Sequence, residues 1–414
     1  MDSSYMNFLF NTINSENNQS DEDVPDDIEI DRDSELKNID SKIAITTDMW
    51  TSINSSSFCA ITCHYINKKW KMESFLLDLI ELPYPHSGED ISQCLLESLD
   101  DFEIQDKIIS ITHDNALNVI KAVEKMNTIY QEKYKTGVYS HRCLAHVINL
   151  IVKEGFSYLD KKLIKITDVV KKLHSSPKLL QKYMQLSGGT RIPLDVITRW
   201  NSKYIMLSTV NKNLDAIKDL GKKYMAPFDI NDSEARSLNE IENFLKPFYK
   251  ITLEISSDTS TIGTSVLFMT KIEQILDETS KNHPDSDLKN AATMVGHRKK
   301  RMFMTSQKMI WKHTPIREAY EYLDLSRDEF IDYIKEPVAP ASTNILDWWA
   351  KNSDFYPTLS LIAKDFFAQQ TTSVPSERVF SKAVDFLTKK RNRMSGTTVK
   401  YCMCLNNWDV RDII

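Results

Sequence analysis

Three acids stand where the ends of strands and helices would place them. Asp48 follows the apolar run Ile43-Ala44-Ile45-Thr46-Thr47, and Asp114 follows Ile108-Ile109-Ser110-Ile111-Thr112-His113. Glu377 lies far downstream in Ser373-Val374-Pro375-Ser376-Glu377-Arg378. Three carboxylates brought together supply hard oxygen ligands for a pair of divalent cations. In such a site one ion activates the attacking water and the other stabilises the leaving 3′ oxygen, the two about 4 Å apart. That chemistry suits the phosphodiester bonds of DNA. Each acid taken singly reads as well as a cap, and nothing in the local sequence brings Glu377 to the two aspartates.

Other residues bear on the same chemistry. In His141-Arg142-Cys143-Leu144-Ala145-His146, Cys143 and His146 share a helix face. Structural zinc takes four ligands, no further Cys or His pair lies near, and a small polar packing knot is the favoured reading; structural zinc is not expected. In Thr198-Arg199-Trp200-Asn201-Ser202, Arg199 suits a phosphate and Trp200 suits stacking on an unpaired base. On residues alone, a Trp anchoring a helical block to a sheet is favoured. Arg378 is read as orienting Glu377, as touching the DNA backbone, or as half of an ordinary salt bridge. Lys389, Lys390, Arg391 and Arg393 are candidate phosphate contacts.

The elements that must position these groups show in the periodicity. Ile43–Thr47, Phe58–Ile66 and Lys69–Leu79 predict three strands, with a tight turn at Asn67-Lys68. A helix follows Ser87-Gly88-Glu89-Asp90 with Ile91, Leu95, Leu96 and Leu99 on one face. Ile108–Thr112 predicts a fourth strand, and Asn115 a cap for a helix to about 129. Adjacent, parallel first and fourth strands would make the carboxyl ends that bear Asp48 and Asp114 converge, the edge where ligands collect on α/β sheets. Residues 141–335 read as mostly helical, with Cys143–Glu154 and Tyr158–His174 as separate helices and a polar loop at 279–290. Past residue 343 come an aromatic helix start at Trp348-Trp349 and a helix bearing Leu359, Ile362, Ala363, Phe366 and Phe367. A third segment, opened by Ser376, puts Glu377 in a first turn, where helix polarity favours an acid. Residues 397–407 predict a last helix, with Trp408 buried.

Bulk properties set outer limits. The chain has 414 residues, 52 basic against 58 acidic, and a formal charge of −6, so it is not basic overall. Charge is local: nine acids and one Arg fill residues 21–35, while HRKKR (297–301) and KKRNR (389–393) are basic. Those basic runs read as solvated faces or as DNA contacts, and HRKKR also as a nuclear import patch. Six scattered cysteines fit a reducing compartment. Nine glycines and no phosphate-loop motif argue against a nucleotide-dependent enzyme. No leader and no membrane-spanning run is read. Residues 1–40 read as a disordered acidic segment.

The motifs taken together resemble transposases of the hAT superfamily (hobo, Activator, Tam3), in particular the zinc finger BED domain-containing branch. TTDMWTS (46–52), ITHDNALNV (111–119), HRCLAHVINL (141–150), TRWNSKYIML (198–207) and YPTLSLIAKDFFAQQTTSVPSERVFSKAVDFLTKKRNRMS (356–395) match in the family's order. The resemblance implies a ribonuclease H-like mixed α/β sheet interrupted by a large all-helical insertion. The expected division is a core at 41–155, the insertion at 156–342, and a dimerisation region at 343–410 that completes the core. It implies Asp48, Asp114 and Glu377 as the catalytic, metal-binding triad, with Mg2+ or Mn2+, and Cys143 and His146 as a Cys-x-x-His element beside it. Trp200 would steady a flipped base or hairpin end. Homo-oligomerisation would run through Trp348, Trp349, Leu359, Phe366, Phe367, Val379 and Phe380. The implied activity is cleavage of double-stranded DNA at transposon ends, hairpin formation and strand transfer, in the nucleus. The amino-terminal BED finger that reads element ends in relatives is not seen here, so the alternative is a domesticated, non-catalytic nuclear DNA-associated dimerisation or regulatory protein, or a truncated copy needing a BED-containing partner.

Overall fold

The computed structural model describes residues 36–52, 55–82, 86–196, 199–224, 230–257, 260–310, 329–340, 343–386 and 395–409. The chain divides into two compact units, Met1–Asn38 and Ile39–Ile414. Of the first, only 36–38 are described, so the acidic segment expected to be disordered lies outside the described residues. So do the cations Lys389, Lys390, Arg391 and Arg393, and the side chain of Trp408.

A five-stranded mixed sheet anchors the second unit, ordered β3-β2-β1-β4-β5. Its strands are β1 (Ile43–Thr51), β2 (Ser57–Ile66), β3 (Met72–Leu82), β4 (Ile108–His113) and β5 (Tyr139–Arg142). β1, β2 and β3 form an antiparallel meander, and β4 and β5 add parallel to β1. β2 reads Ser-Phe-Cys-Ala-Ile-Thr-Cys-His-Tyr-Ile and is buried at every position, so both faces of the sheet are covered. The four-residue β5 escapes sequence reading, because Tyr-Ser-His-Arg is too short to show a period. The β2–β3 connection spans more than the expected two residues. The Asn67 side chain accepts from the backbone N–H of Lys69 and Lys71, and Trp70 sits at φ 59°.

Helices α1 (Gly88–Asp101) and α2 (Leu117–Tyr134) pack on each other and on the sheet. Ser87 and Asp90 form a reciprocal capping box that starts α1. Asn115 does not cap α2. Asp114 Oδ1 instead accepts from the Ala116 N–H at 3.1 Å.

The chain leaves β5 through α3 (Leu144–Ser175), one helix of 32 residues and about 48 Å at 1.5 Å per residue. Two helices were expected here, and the expected core–insertion boundary at 155/156 falls inside α3. Gly155 is the reason for the misreading. A Cβ on it would lie 2.8 Å from Val295 Cγ2, so this glycine admits a neighbouring helix rather than ending its own. That neighbour is α9 (Ser286–Ile310), which begins inside the loop expected at 279–290. Between them come α4 (Pro177–Leu186), α5 (Trp200–Lys212), α6 (Leu214–Tyr224), α7 (Asp232–Ile255) and α8 (Ile262–Asn282). These helices share one apolar core that includes Ile148, Ile166, Leu207, Phe248 and Ile272. The HRKKR run is helical and only partly solvated: Lys299 is buried, donates to Met269 O and pairs with Glu273.

The chain then returns to the sheet. α10 (Glu329–Lys335) and α11 (Ile345–Asn352) lead to α12 (Pro357–Ala368), α13 (Val374–Phe386) and α14 (Gly396–Asp409). α14 docks on β3 through Lys400, which pairs with the buried Asp78 at 2.8 Å, and through Asn407, which accepts from Leu76 N. Of the residues expected at a dimer face, Val379 and Phe380 pack against Phe58 and Trp50 in the sheet core. Trp349 packs on Trp70 and Tyr356, with Trp348, Leu359 and Phe367 around it. Phe366 is 41% exposed, beside Gly263. Val379, Phe380 and Trp349 therefore hold the region's shape inside one chain. Phe380→Ala should destabilise the fold by about 3–5 kcal/mol, the usual cost of emptying a buried aromatic site. Urea unfolding reads this, and a loss below about 1 kcal/mol would contradict its core placement.

Candidate functional site

The two aspartates come together through strand register. Thr46 pairs with Thr112 as the last rung of the parallel β1–β4 ladder. Asp48 and Asp114 each lie two positions past that rung. With side chains alternating along a strand, they project on the side that bears Thr46 and Thr112. Asp48 Oδ1 accepts from Met49 N at 2.9 Å.

That side receives the segment joining α12 to α13. Gln369, Gln370, Thr371, Thr372 and Ser373 are all buried. Buried polar groups need partners, and each here has at least one. His141 Nε2 donates to Gln369 Oε1 at 2.8 Å, and Thr112 Oγ1 to Gln370 O at 2.7 Å. Leu144 N, at the start of α3, donates to Thr371 O at 2.9 Å. Thr371 Oγ1 shares a hydrogen bond with Ser260, Thr372 Oγ1 donates to Ile255 O, and Ser373 bonds the Cys143 thiol. This polar strap ties the sheet, α3 and the helical insertion at one place. Glu377 follows it in the first turn of α13.

Asp48 feels the charge of the other two acids. Burial first, then Glu377 and Asp114, push the Asp48 carboxyl up to about 7. Arg199, at the start of α5 and 77% exposed, reaches to 3.8 Å from Glu377 Oε2. The fold thus joins the Thr-Arg-Trp motif to the acids. Among the described residues no three His, Cys, Asp or Glu side chains are gathered tightly enough to hold a metal ion. The acids fit a divalent cation in donor chemistry, because positive charge is what Asp48 lacks. Their present spacing is open.

The remaining expected residues fall into place as follows. Cys143 is buried at the head of α3, its thiol raised by burial and bonded to Ser373, which is the packing knot read from sequence. His146 sits one turn on and is half-buried. Trp200 is 3% exposed and packs on Tyr204 and Tyr249, so it anchors the helical block itself rather than offering an open stacking face. It borders a cavity of about 250 Å3 lined also by Lys153, Phe156, Asp160, Asp195, Val196, Arg199 and Lys203. Arg378 Nη2 donates to Ser256 O at 2.7 Å, tying α13 to the end of α7. Sequence reading missed the strap, since Gln-Gln-Thr-Thr-Ser looks like a solvated loop. Its one visible signal is the absence of any charge between two apolar helices.

Two titrations oppose each other here. Asp48 keeps its proton to about 7 in the fold, against an ordinary value of 3.8. Its contribution is therefore full at low pH and lost as pH rises through that interval. Asp48→Asn should gain stability relative to wild type at pH 8 and little at pH 4, read as urea midpoints; an equal effect at both would refute the shift. Burial pushes His141 down to about 4 from 6.5. The unfolded chain takes up that proton first, so stability is lost as pH falls from 6.5 to 4. His141→Gln should flatten that acid limb.

Three family models match successive parts of the chain: the ZBED1 RNase-like domain at residues 46–137, the ZBED1 RNase-like helical domain at 141–244, and the hAT family C-terminal dimerisation region at 329–408. The chain is similar to "Putative AC transposase" of Zea mays, 23% identical over 468 residues that cover 90% of this chain and 57% of the relative. It is also similar to "Zinc finger BED domain-containing protein RICESLEEPER 1" of Oryza sativa subsp. japonica, 21% identical over 89% of this chain and 65% of the relative. "Zinc finger BED domain-containing protein DAYSLEEPER" of Arabidopsis thaliana is 21% identical over 90% of this chain and 64% of its own length. The chain thus spans less than two thirds of the length of these relatives. With the sheet order, the helical insertion and the returning carboxy-terminal helices on the same frame, the chain carries the ZBED1 RNase-like and helical domains followed by a hAT C-terminal dimerisation region, an arrangement consistent with the hAT transposase family.

Proposed function

We propose that this chain is the core of a hAT-type transposase that cuts DNA and joins strands with divalent metal. The observation that carries this reading is the convergence of Asp48, Asp114 and Glu377 at one edge of the sheet, with Asp48 raised by the charges of the other two. Asp48, Asp114 and Glu377 would hold Mg2+ or Mn2+, which supplies an activated water and charge for the leaving 3′ oxygen. A bound ion would require the three carboxylates to draw together. Arg199, exposed beside Glu377, meets a phosphate of the bound duplex. Arg378 braces α13 on the helical insertion, and the phosphate-contact role assigned to it passes to Arg199. Trp200 receives a displaced base only if Tyr204 and Tyr249 yield, so hairpin formation is the step most sensitive to it. Lys389, Lys390, Arg391 and Arg393 are proposed as further backbone contacts. Self-association through the carboxy-terminal region and action in the nucleus complete the reading.

A second reading, a non-catalytic nuclear DNA-associated dimerisation or regulatory protein, draws on one observation, the open spacing of the acids. One assay separates the two: Mn2+-dependent cleavage of a labelled duplex carrying matched element ends, with a BED-containing partner supplied. Wild type should cut. Asp48→Asn, Asp114→Asn and Glu377→Gln should each lose about a thousandfold or more in rate, the scale of losing a metal's charge stabilisation. No cleavage by wild type under these conditions leaves the non-catalytic reading. Trp200→Ala should impair hairpin formation more than first-strand nicking, and equal loss in both would assign it a structural role alone.

A further inference from the structure

A line of buried side chains crosses the sheet beneath the three acids. His64 Nε2 bonds Thr62 Oγ1 at 2.8 Å, Thr62 Oγ1 bonds Thr46 Oγ1 at 2.5 Å, and Thr46 Oγ1 bonds Ser376 Oγ at 2.7 Å. All four residues are at most 2% exposed. β2 supplies two of them, β1 the third and α13 the last. The placement is specific. Thr46 stands two residues before Asp48 on the same side of β1, and Ser376 immediately precedes Glu377. One hydrogen bond therefore joins the strand carrying one acid to the helix carrying another, across 330 residues of sequence.

We propose that Thr46 and Ser376 are positioning residues, whose hydroxyl pair fixes the depth and rotation of the first turn of α13 and so the reach of Glu377 toward Asp48. The proposal deepens the function above, resting on the reading that the carboxylates share a divalent ion. The strap alone does not do this. Its bonds end at Ser373, and the contacts of Val379, Phe380 and Arg378 hold α13 from its second turn onward. The Thr46–Ser376 bond lies between those two seats, in the first turn itself. Thr62 occupies the other side of the Thr46 hydroxyl and holds its rotamer, and His64 holds Thr62. The bond is buried, where no water competes for either hydroxyl. Among the described residues the Glu377 carboxylate pairs with Arg199 alone, at 3.8 Å and on the exposed side. Its inward limit is thus set by the backbone of α13, and Ser376 is the side chain that hydrogen-bonds its first turn to β1.

Thr46→Val keeps the shape of the side chain and removes its hydroxyl, while Thr46→Ser keeps the hydroxyl. In the full chain two readouts are taken on each. The first needs no metal: the stability coupling at pH 8 between Asp48→Asn and Glu377→Gln, by double-mutant cycle. It should report repulsion in wild type and with Thr46→Ser, and vanish with Thr46→Val. The second is Mn2+ affinity by electron paramagnetic resonance, which should weaken at least about tenfold with Thr46→Val, the usual effect of losing an outer support of a ligand, and within about twofold with Thr46→Ser. Leu99→Ala, a cavity in α1, is the control for simple destabilisation. Coupling that survives Thr46→Val, or that Leu99→Ala abolishes as well, overturns the proposal. If wild type binds no Mn2+ but the coupling still depends on the hydroxyl, the positioning stands and the metal reading falls. Should Thr46→Val not fold, Ser376→Ala carries the same comparison from the helix side.

Discussion

A stretch of backbone with no charge and no large apolar group lies buried at the centre of this molecule, and it persists only because every neighbour gives it a hydrogen bond. An unpaired polar group in such a place costs about 1–3 kcal/mol. Gln369 to Ser373 therefore settle where His141, Thr112, Leu144, Ser260 and Cys143 can all be met at once. That requirement fixes how the returning chain crosses the sheet edge. The position of Glu377, the contact of the helical insertion with the core and the seating of α13 all follow from it.

The same constraint accounts for residues whose roles look catalytic on paper. Cys143 and His141 stand beside the acids, yet both serve the strap. Burial keeps the thiol protonated and the imidazole neutral; the thiol sulfur accepts from Ser373 and the imidazole donates to Gln369. Arg378, next to Glu377 in sequence, turns away to Ser256. Arg199, remote in sequence, comes to Glu377 instead. Neighbours along the chain and neighbours in space exchange places here, because α13 presents successive residues to different partners.

Much of the fold was legible from residues. β1 to β4 announced themselves as β-branched and apolar runs. The convergence of Asp48 and Asp114 is conditional on β1 and β4 lying side by side, and the ladder from Ile43 to Thr46 meets that condition. What was not legible has physical causes. β5 is too short for a period. Gly155 reads as a helix breaker but serves as a contact surface for Val295. Phe380 and Val379 read as a surface for a second chain but face Phe58 and Trp50 of their own. The arrival of Glu377 depends on hydrogen bonds between segments hundreds of residues apart, which local pattern does not encode. Only the family resemblance anticipated it. The residues that do the joining, Thr46, Thr112 and the strap itself, are small and uncharged, and local sequence gives them no prominence.

α3 has no break from its first turn, under the strap at Leu144, to its far end among the helices at Leu173. A rod of that length without a joint cannot bend in the middle to isolate one end from the other. Whatever grips the outer part of the helical block and tilts it must also shift the seat on which Thr371 rests. The block is in this sense mechanically continuous with the crossing segment that leads to Glu377.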